Sequence, residues 1–296
     1  MNRLTFLKKA SLISTLPFIS SSHSLLNFND YKIGLQLFSV RDAMEKDPVN
    51  TLKSLKEMGY RDFESYGYDT ERKKYYGFSP IEFSTILNDL GLSTSSGHYG
   101  VNGLMESSDY KLFKYLDSCI EASLKLGDKY IVYPMLDKKY QSYQGYRLLV
   151  KKLNKMGDKI TKSGLNFAYH NFGYDFNLYD RKMGLEWIIE ETNPDWVKLQ
   201  VDFYWVMRAN KIVPKDLINL AHGRFKLWHI KDMDPITKDY TELGYGSIDY
   251  TKILPDPNLS GLEYYYLEQG GNYALNSMDS AKKSIDFFKK NIQKLI

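Results

Sequence analysis

Strand-like and helix-like segments alternate without a break from Lys32 to the C-terminus, and that alternation leaves few folds open to the chain. The strand-like runs are Lys32–Ser39, Tyr60–Ser65, Leu92–Tyr99, Lys129–Met135, Leu165–Asn171, Val197–Tyr204, Phe225–Met233 and Glu263–Gln269. Helical patterns lie between them over Pro48–Met58, Pro80–Leu90, Asp109–Leu126, Gly145–Lys162, Gly184–Glu191, Pro214–Ala221 and Ile248–Leu254, and Ser277–Ile292 closes the chain. Gly59, Gly91, Gly127 and Gly164 each stand where a helix stops and a strand begins. Ser79-Pro80 reads as a helix entry, with serine as the cap and proline in the first turn. Eight strands and eight helices in alternation predict an α/β fold, a closed parallel (β/α)8 barrel forming one domain over residues 25–296. A doubly wound open sheet would want a glycine-rich first loop, and Leu37-Phe38-Ser39-Val40-Arg41 has none.

Four of the strands in the second half end in a side chain able to hold a metal: His170, Asp202, His229 and Glu268. Side chains alternate between the two faces of a strand, so each can be checked against its neighbours. Leu165, Phe167 and Tyr169 take one face and Ala168 and His170 the other. Gln200 and Asp202 oppose the apolar residues of their strand, His229 and Lys231 oppose Trp228 and Ile230, and Glu268 alternates with Leu267. All four then fall on one inner face. Two imidazoles and two carboxylates suit a borderline divalent ion, Mn2+, Zn2+ or Co2+.

Composition excludes several alternatives. With 40 basic against 36 acidic residues the net charge is +4, too mild for a nucleic-acid surface. The single cysteine, Cys119, rules out an internal disulfide and a cysteine-rich zinc site, and its helical setting reads as packing. The 25 tyrosines suit contact with hydroxylated ligands, and plain packing accounts for the larger share. Residues 1–24 read as a secretory signal peptide. Arg3, Lys8 and Lys9 precede an uncharged run from Ala10 to Ser20, with small residues at Ser20-Ser21-Ser22. The run is too short to span a bilayer, so the expected location is the periplasm, with no membrane role beyond export.

Six runs together resemble the sugar phosphate isomerase/epimerase group of the xylose-isomerase-like TIM barrels. They are Gly34–Asp42, Tyr169-His170-Asn171, Val201–Trp205, His229–Met233, Gly244–Asp249 and Leu267-Glu268-Gln269. The resemblance spans nearly the whole chain after the leader. It implies one divalent metal at the C-terminal mouth of the barrel, with His170, Asp202, His229 and Glu268 as its ligands. It also implies a carbohydrate substrate and allows a homodimer. Such epimerases usually carry a glutamate on the fifth strand, paired with a second glutamate to move the substrate proton. Here the fifth strand carries His170, which puts that shuttle in doubt.

Other residues near the mouth take expected roles in catalysis or binding. Lys231 would stabilise an enolate, or act as a base if burial lowers its pKa. His98 would be an acid/base or contact a substrate hydroxyl, Glu64 would bind hydroxyls or supply the missing base, and Glu268 would serve catalysis as well as the metal. Gln36, Asn171 and Trp205 would line the substrate pocket. The expected chemistry is isomerisation or epimerisation of a sugar through a metal-held enediolate. The alternative is a lyase that eliminates across a keto-sugar such as a 3-keto-glycoside. A non-catalytic sugar-binding protein would ordinarily show two lobes and a hinge, which this pattern lacks. A DNA-repair endonuclease shares the barrel but needs a multi-metal cluster richer in histidine than the four found outside residues 1–24.

Overall fold

The computed structural model describes residues 31–296, so the leader expected over residues 1–24 lies outside the described residues. Eight parallel strands close into a barrel: β1 (Gly34–Gln36), β2 (Asp62–Ser65), β3 (Ser93–His98), β4 (Tyr130–Tyr133), β5 (Asn166–His170), β6 (Lys198–Asp202), β7 (Leu227–Ile230) and β8 (Tyr264–Leu267). Each strand pairs with its sequence neighbours, and β1 pairs with β8 at Gly34↔Tyr266 and Leu35↔Leu267 to close the ring. The predicted fold is the observed one.

The strands are shorter than the sequence suggests at their C-terminal ends. Leu37–Val40 forms a 3-10 turn whose start is capped by the Gln36 side chain. After Asp202 the chain turns at once into the helix Phe203–Ala209, with the Asp202 carboxylate as its cap. Beyond Ile230, Asp232–Met233 leaves the barrel and pairs with Tyr240–Thr241 in a small antiparallel ribbon. In the first two places the apolar run continues past the strand but a capping side chain redirects the backbone, and in the third a new pairing does so.

The predicted turns form as expected. Gly59 adopts φ +113° at the end of helix Pro48–Met58, and Ser79 and Glu82 make a reciprocal capping box. Among the described residues no helix is long and apolar enough to cross a membrane.

The outward faces of the strands and the apolar stripes of the helices share one core, in which Trp228 is fully buried and its indole N–H donates to Ser260 Oγ (2.8 Å). Inside the barrel a plug of Tyr130, Val132, Ala168, Leu227 and Tyr266 fills the axis. Gly34 makes room for it, since a Cβ there would stand 2.6 Å from the Tyr266 ring. Most tyrosines pack, as expected; Tyr60, Tyr75, Tyr133, Tyr146 and Tyr169 are fully buried. Cys119 is buried too, and desolvation pushes its thiol up to about 12, where it is not a nucleophile.

Candidate metal centre and the barrel mouth

Above the plug the barrel interior turns polar, and Glu64 on β2 is its hub. Both Glu64 oxygens accept hydrogen bonds inside a site with no solvent exposure. Gln36 Nε2 (2.7 Å), His229 Nε2 (2.6 Å) and His98 Nε2 (2.9 Å) reach Oε2, while Ser96 Oγ (2.6 Å) and Gln200 Nε2 (2.8 Å) reach Oε1. Burial alone would raise this carboxyl; His98 and His229 beside it hold it well below the usual carboxylate range. The expectation that Glu64 binds substrate or serves as a spare base is corrected here: neither oxygen is left free, and the residue does not line the mouth. It orients the two histidines instead.

A slip in pairing makes that hub. Phe63 pairs with Thr94 but Glu64 pairs with Ser96, so β3 carries an extra residue at Ser95. Ser95 Oγ and Ser96 Oγ therefore both reach carboxylates inside the barrel, Asp62 and Glu64. His98 then points inward, its Nε2 also 2.9 Å from Gln200 Oε1.

One step higher, His170, Asp202, His229 and Glu268 converge as the sequence predicts. One ligand atom from each lies within 4.8 Å of all the others. Those atoms are His170 Nε2, Asp202 Oδ2, His229 Nδ1 and Glu268 Oε2, each buried and each without a properly formed hydrogen bond. The atoms are crowded rather than properly bonded: His229 Nδ1 lies 2.6 Å from Glu268 Oε2 and 3.9 Å from Asp202 Oδ2, and Lys231 Nζ stands against both carboxylates. Buried polar atoms are rarely left so. The other ring nitrogens are anchored: His170 Nδ1 donates to Pro134 O (3.0 Å) and His229 Nε2 to Glu64. Such backing fixes the tautomer and aims the remaining nitrogen into the site. Glu64, His98 and His229 also form a compact trio, but they are already hydrogen-bonded to one another. The residues of the upper quartet fit one divalent cation; those of the lower trio are satisfied without one.

Electrostatics divides the two histidines. Burial drives His170 down to about 4, so it is neutral and ready to ligate. Burial opposes the charge on His229 as well, but Glu64 and Glu268 override it and raise the ring to about 9. In the metal-free protein this ion network stabilises the fold fully below the unfolded value near 6.5. That contribution is lost as pH rises towards 9. The expected result is a Tm of the metal-free protein that falls from pH 6.5 to 9 while affinity for Mn2+ rises, since the cation must displace a proton. Thermal melts and calorimetric titrations across that window check both slopes.

Lys231 departs from expectation. Burial would lower its pKa, yet Asp202 and Glu268 outweigh burial and hold the ammonium above the ordinary lysine range. Its Nζ stands 2.7 Å from Asp202 Oδ2 and 2.8 Å from Glu268 Oε2. In this state it is a counter-ion to both carboxylates, and a base only after it loses that charge. Asp202 is held below the usual carboxylate range against the cost of burial, by Lys231 first and then His170, and Glu268 likewise by Lys231 and His229.

The mouth is a cavity of about 450 Å3. His98, His170, Lys231 and Glu268 form its polar floor, with Gln36 at the edge. Gln36 is fully buried, its amide shared between Glu64 and the Phe38 N–H, so it braces the wall more than it contacts a ligand. Asn171 and Trp205 do not line the cavity, which corrects the expectation for both. Asn171 clips β5 to β6 by accepting from the Asp202 N–H (3.0 Å), and Trp205 packs behind Phe172 with ring centroids 5.0 Å apart. The walls the sequence did not single out are Phe38, Tyr66, Met135, Phe172 and Tyr240. They lie beyond the C-terminal ends of the barrel strands, Phe38 in a 3-10 turn and Tyr240 in the small ribbon, where strand alternation no longer says which way a side chain points. Gln200 was detectable in principle, because it shares the inner face with Asp202.

The sequence model of the xylose isomerase-like TIM barrel family matches residues 52–291. The chain belongs to that family. Among solved structures it is similar to a sugar phosphate isomerase/epimerase from Parabacteroides distasonis, at 23% identity and a TM-score of 0.78, covering 89% of this chain and 95% of that one. It is also similar to the IOLI protein with a bound zinc atom (15% identity, TM-score 0.68, 90% and 99% coverage). A third similar structure is the probable 3-DHS dehydratase AsbF of petrobactin synthesis from Bacillus anthracis (14%, 0.65, 88% and 99%). At these identities the likeness shows the fold. No curated protein matches the sequence.

Proposed function

We propose that the protein is a divalent-metal-dependent enzyme that moves a proton next to a carbonyl of a sugar or keto-sugar, as an isomerase or epimerase. The observation that carries this reading is the convergence of four buried ligand atoms, on His170, Asp202, His229 and Glu268, within 4.8 Å of one another beside a ligand-sized cavity that His170 and Glu268 line. A cation held there would polarise a substrate carbonyl and acidify the neighbouring C–H. The solved relatives named for sugar isomerisation and for bound zinc support the same reading.

The chain's own residues supply the rest. Glu64 and Gln200 hold the His98 ring by Nε2, and among the described residues Nδ1 has no hydrogen-bond partner, so Nδ1 is placed to take or return a proton at the cavity. Lys231 donates to an oxygen that gains negative charge, and Glu268 stands at the floor beside it. Loss of a β-oxygen substituent in place of proton return would make the enzyme a lyase. One observation favours that second reading: Glu64 is fully engaged and the fifth strand carries His170, so two opposed free glutamates are not available. Export directed by residues 1–24 would expose the site to unphosphorylated sugars of the periplasm.

Metal content is the first test. The wild-type protein should carry about one Mn2+, Zn2+ or Co2+ per chain by plasma mass spectrometry, and Asp202→Ala should lose it. Keto-sugars incubated with loaded enzyme in deuterated water then separate the outcomes. Deuterium uptake without a leaving group supports isomerisation, and release of the substituent supports elimination. A protein that takes up no metal overturns the mechanism and leaves a barrel used for binding.

A further inference from the structure

The walls of the mouth differ in chemistry from its floor, and they face each other. β1 and β5 stand on opposite sides of the eight-strand ring. Phe38 follows β1 and meets Tyr66, beyond β2, edge-on with ring centroids 5.3 Å apart. Across the cavity Met135 follows β4 and Phe172 follows β5. Phe172 packs against Tyr174, parallel to it with ring centroids 5.6 Å apart, and against Trp205 at 5.0 Å, so its neighbours fix the ring before a ligand arrives. Met135 and Phe38 remain largely exposed, at 46% and 37%. Two apolar walls over a charged floor form a slot that takes a flat apolar group above a hydroxylated one.

Size and charge narrow the ligand further. At about 30 Å3 per water a 450 Å3 cavity takes roughly 15 separate waters, against about 12 heavy atoms in a hexose, whose covalently joined atoms need less room. A single sugar ring therefore leaves the upper slot empty. Among the described residues no arginine lines the cavity and Lys231 is the one lysine that does, paired with Asp202 and Glu268. Arg41 lies over the Phe38 ring but donates to Phe38 O and Tyr273 OH. A phosphate would find no arginine fork on the walls, and the floor, with Lys231 and any cation held there, is the place of the sugar ring.

We propose that the substrate is an unphosphorylated glycoside, its sugar ring on the polar floor and an aromatic or similarly flat aglycone between Phe38–Tyr66 and Met135–Phe172. The proposal rests on the sugar-enzyme reading of the floor and adds the substrate class. It departs from what the name of the similar Parabacteroides distasonis protein would suggest.

Calorimetric titration of the metal-loaded protein tests it with three probes: 4-nitrophenyl glucosides of both anomers, the matching methyl glucosides, and glucose 6-phosphate. The better nitrophenyl anomer should bind about tenfold tighter than its methyl counterpart, by stacking on both walls. Glucose 6-phosphate should bind no tighter than the methyl glucosides. Phe172→Ala should cut the aryl-over-methyl ratio to about threefold, and Phe38→Leu, at an exposed position that leaves folding intact, should lower it too. Equal aryl and methyl affinities, tighter glucose 6-phosphate, or no binding of any probe overturns the proposal. Aryl preference in a protein that exchanges no substrate proton would leave this proposal standing and overturn the enzymatic reading; exchange activity confined to a sugar phosphate would do the reverse.

Discussion

Glu64→Ala should cost about 3–5 kcal/mol of folding stability in urea melts, far more than a surface ion pair contributes. The carboxylate has no exposure and accepts from Gln36, Ser96, His98, Gln200 and His229, so truncation strands several buried donors at once. It also removes the charge that opposes desolvation of His229. Glu64→Gln separates the two effects. It keeps the shape and one acceptor oxygen, so it should fold, yet lower Zn2+ or Mn2+ affinity about 10- to 100-fold because the orienting partner of His229 is weakened. A loss below about 1 kcal/mol in the alanine variant would mean that the hub behaves like a surface pair.

Lys231→Met should act in opposite directions on metal and on chemistry. The ammonium sits between the two carboxylates that are the proposed metal ligands, 2.7 Å from Asp202 Oδ2 and 2.8 Å from Glu268 Oε2. Unit charges about 4 Å apart interact by about 4 kcal/mol at an effective dielectric near 20, so a cation entering beside Lys231 meets substantial repulsion. Removing the charge should raise divalent-cation affinity at least about tenfold in competition titrations. Proton transfer or enolate stabilisation should fall by about 100-fold or more, read as deuterium exchange at saturating metal. The metal-free variant should be less stable, since Asp202 and Glu268 lose their counter-ion. A weaker cation site in Lys231→Met would show that the lysine supports the metal rather than competing with it.

The legible and illegible parts of this molecule divide along a physical line. The alternation of periods and the glycines at helix ends are local signals, and they placed every barrel strand and most helices within a few residues. Strand parity is local as well, and it sent His170, Asp202, His229 and Glu268 to one face, where the folded chain brings them together. Parity fails where the pairing slips. On β3 the extra residue at Ser95 depends on how β2 and β3 dock, and without it Ser95 and Ser96 would face opposite ways. The Glu64 hub was hidden for the same reason. A carboxylate near a strand end looks equally suited to a substrate or to a network until its partners on β1, β3, β6 and β7 are in place.

By itself the sequence determined the barrel and its four converging side chains, because each is written in spacing along one strand at a time. The tertiary structure decided the rest: that Lys231 is a counter-ion, that Asn171 and Trp205 support the walls instead of lining them, and that Phe38 and Phe172 oppose each other across the mouth. Those properties belong to pairs of distant loops and to the local dielectric. Both come into existence only when eight strands close and water leaves the interior.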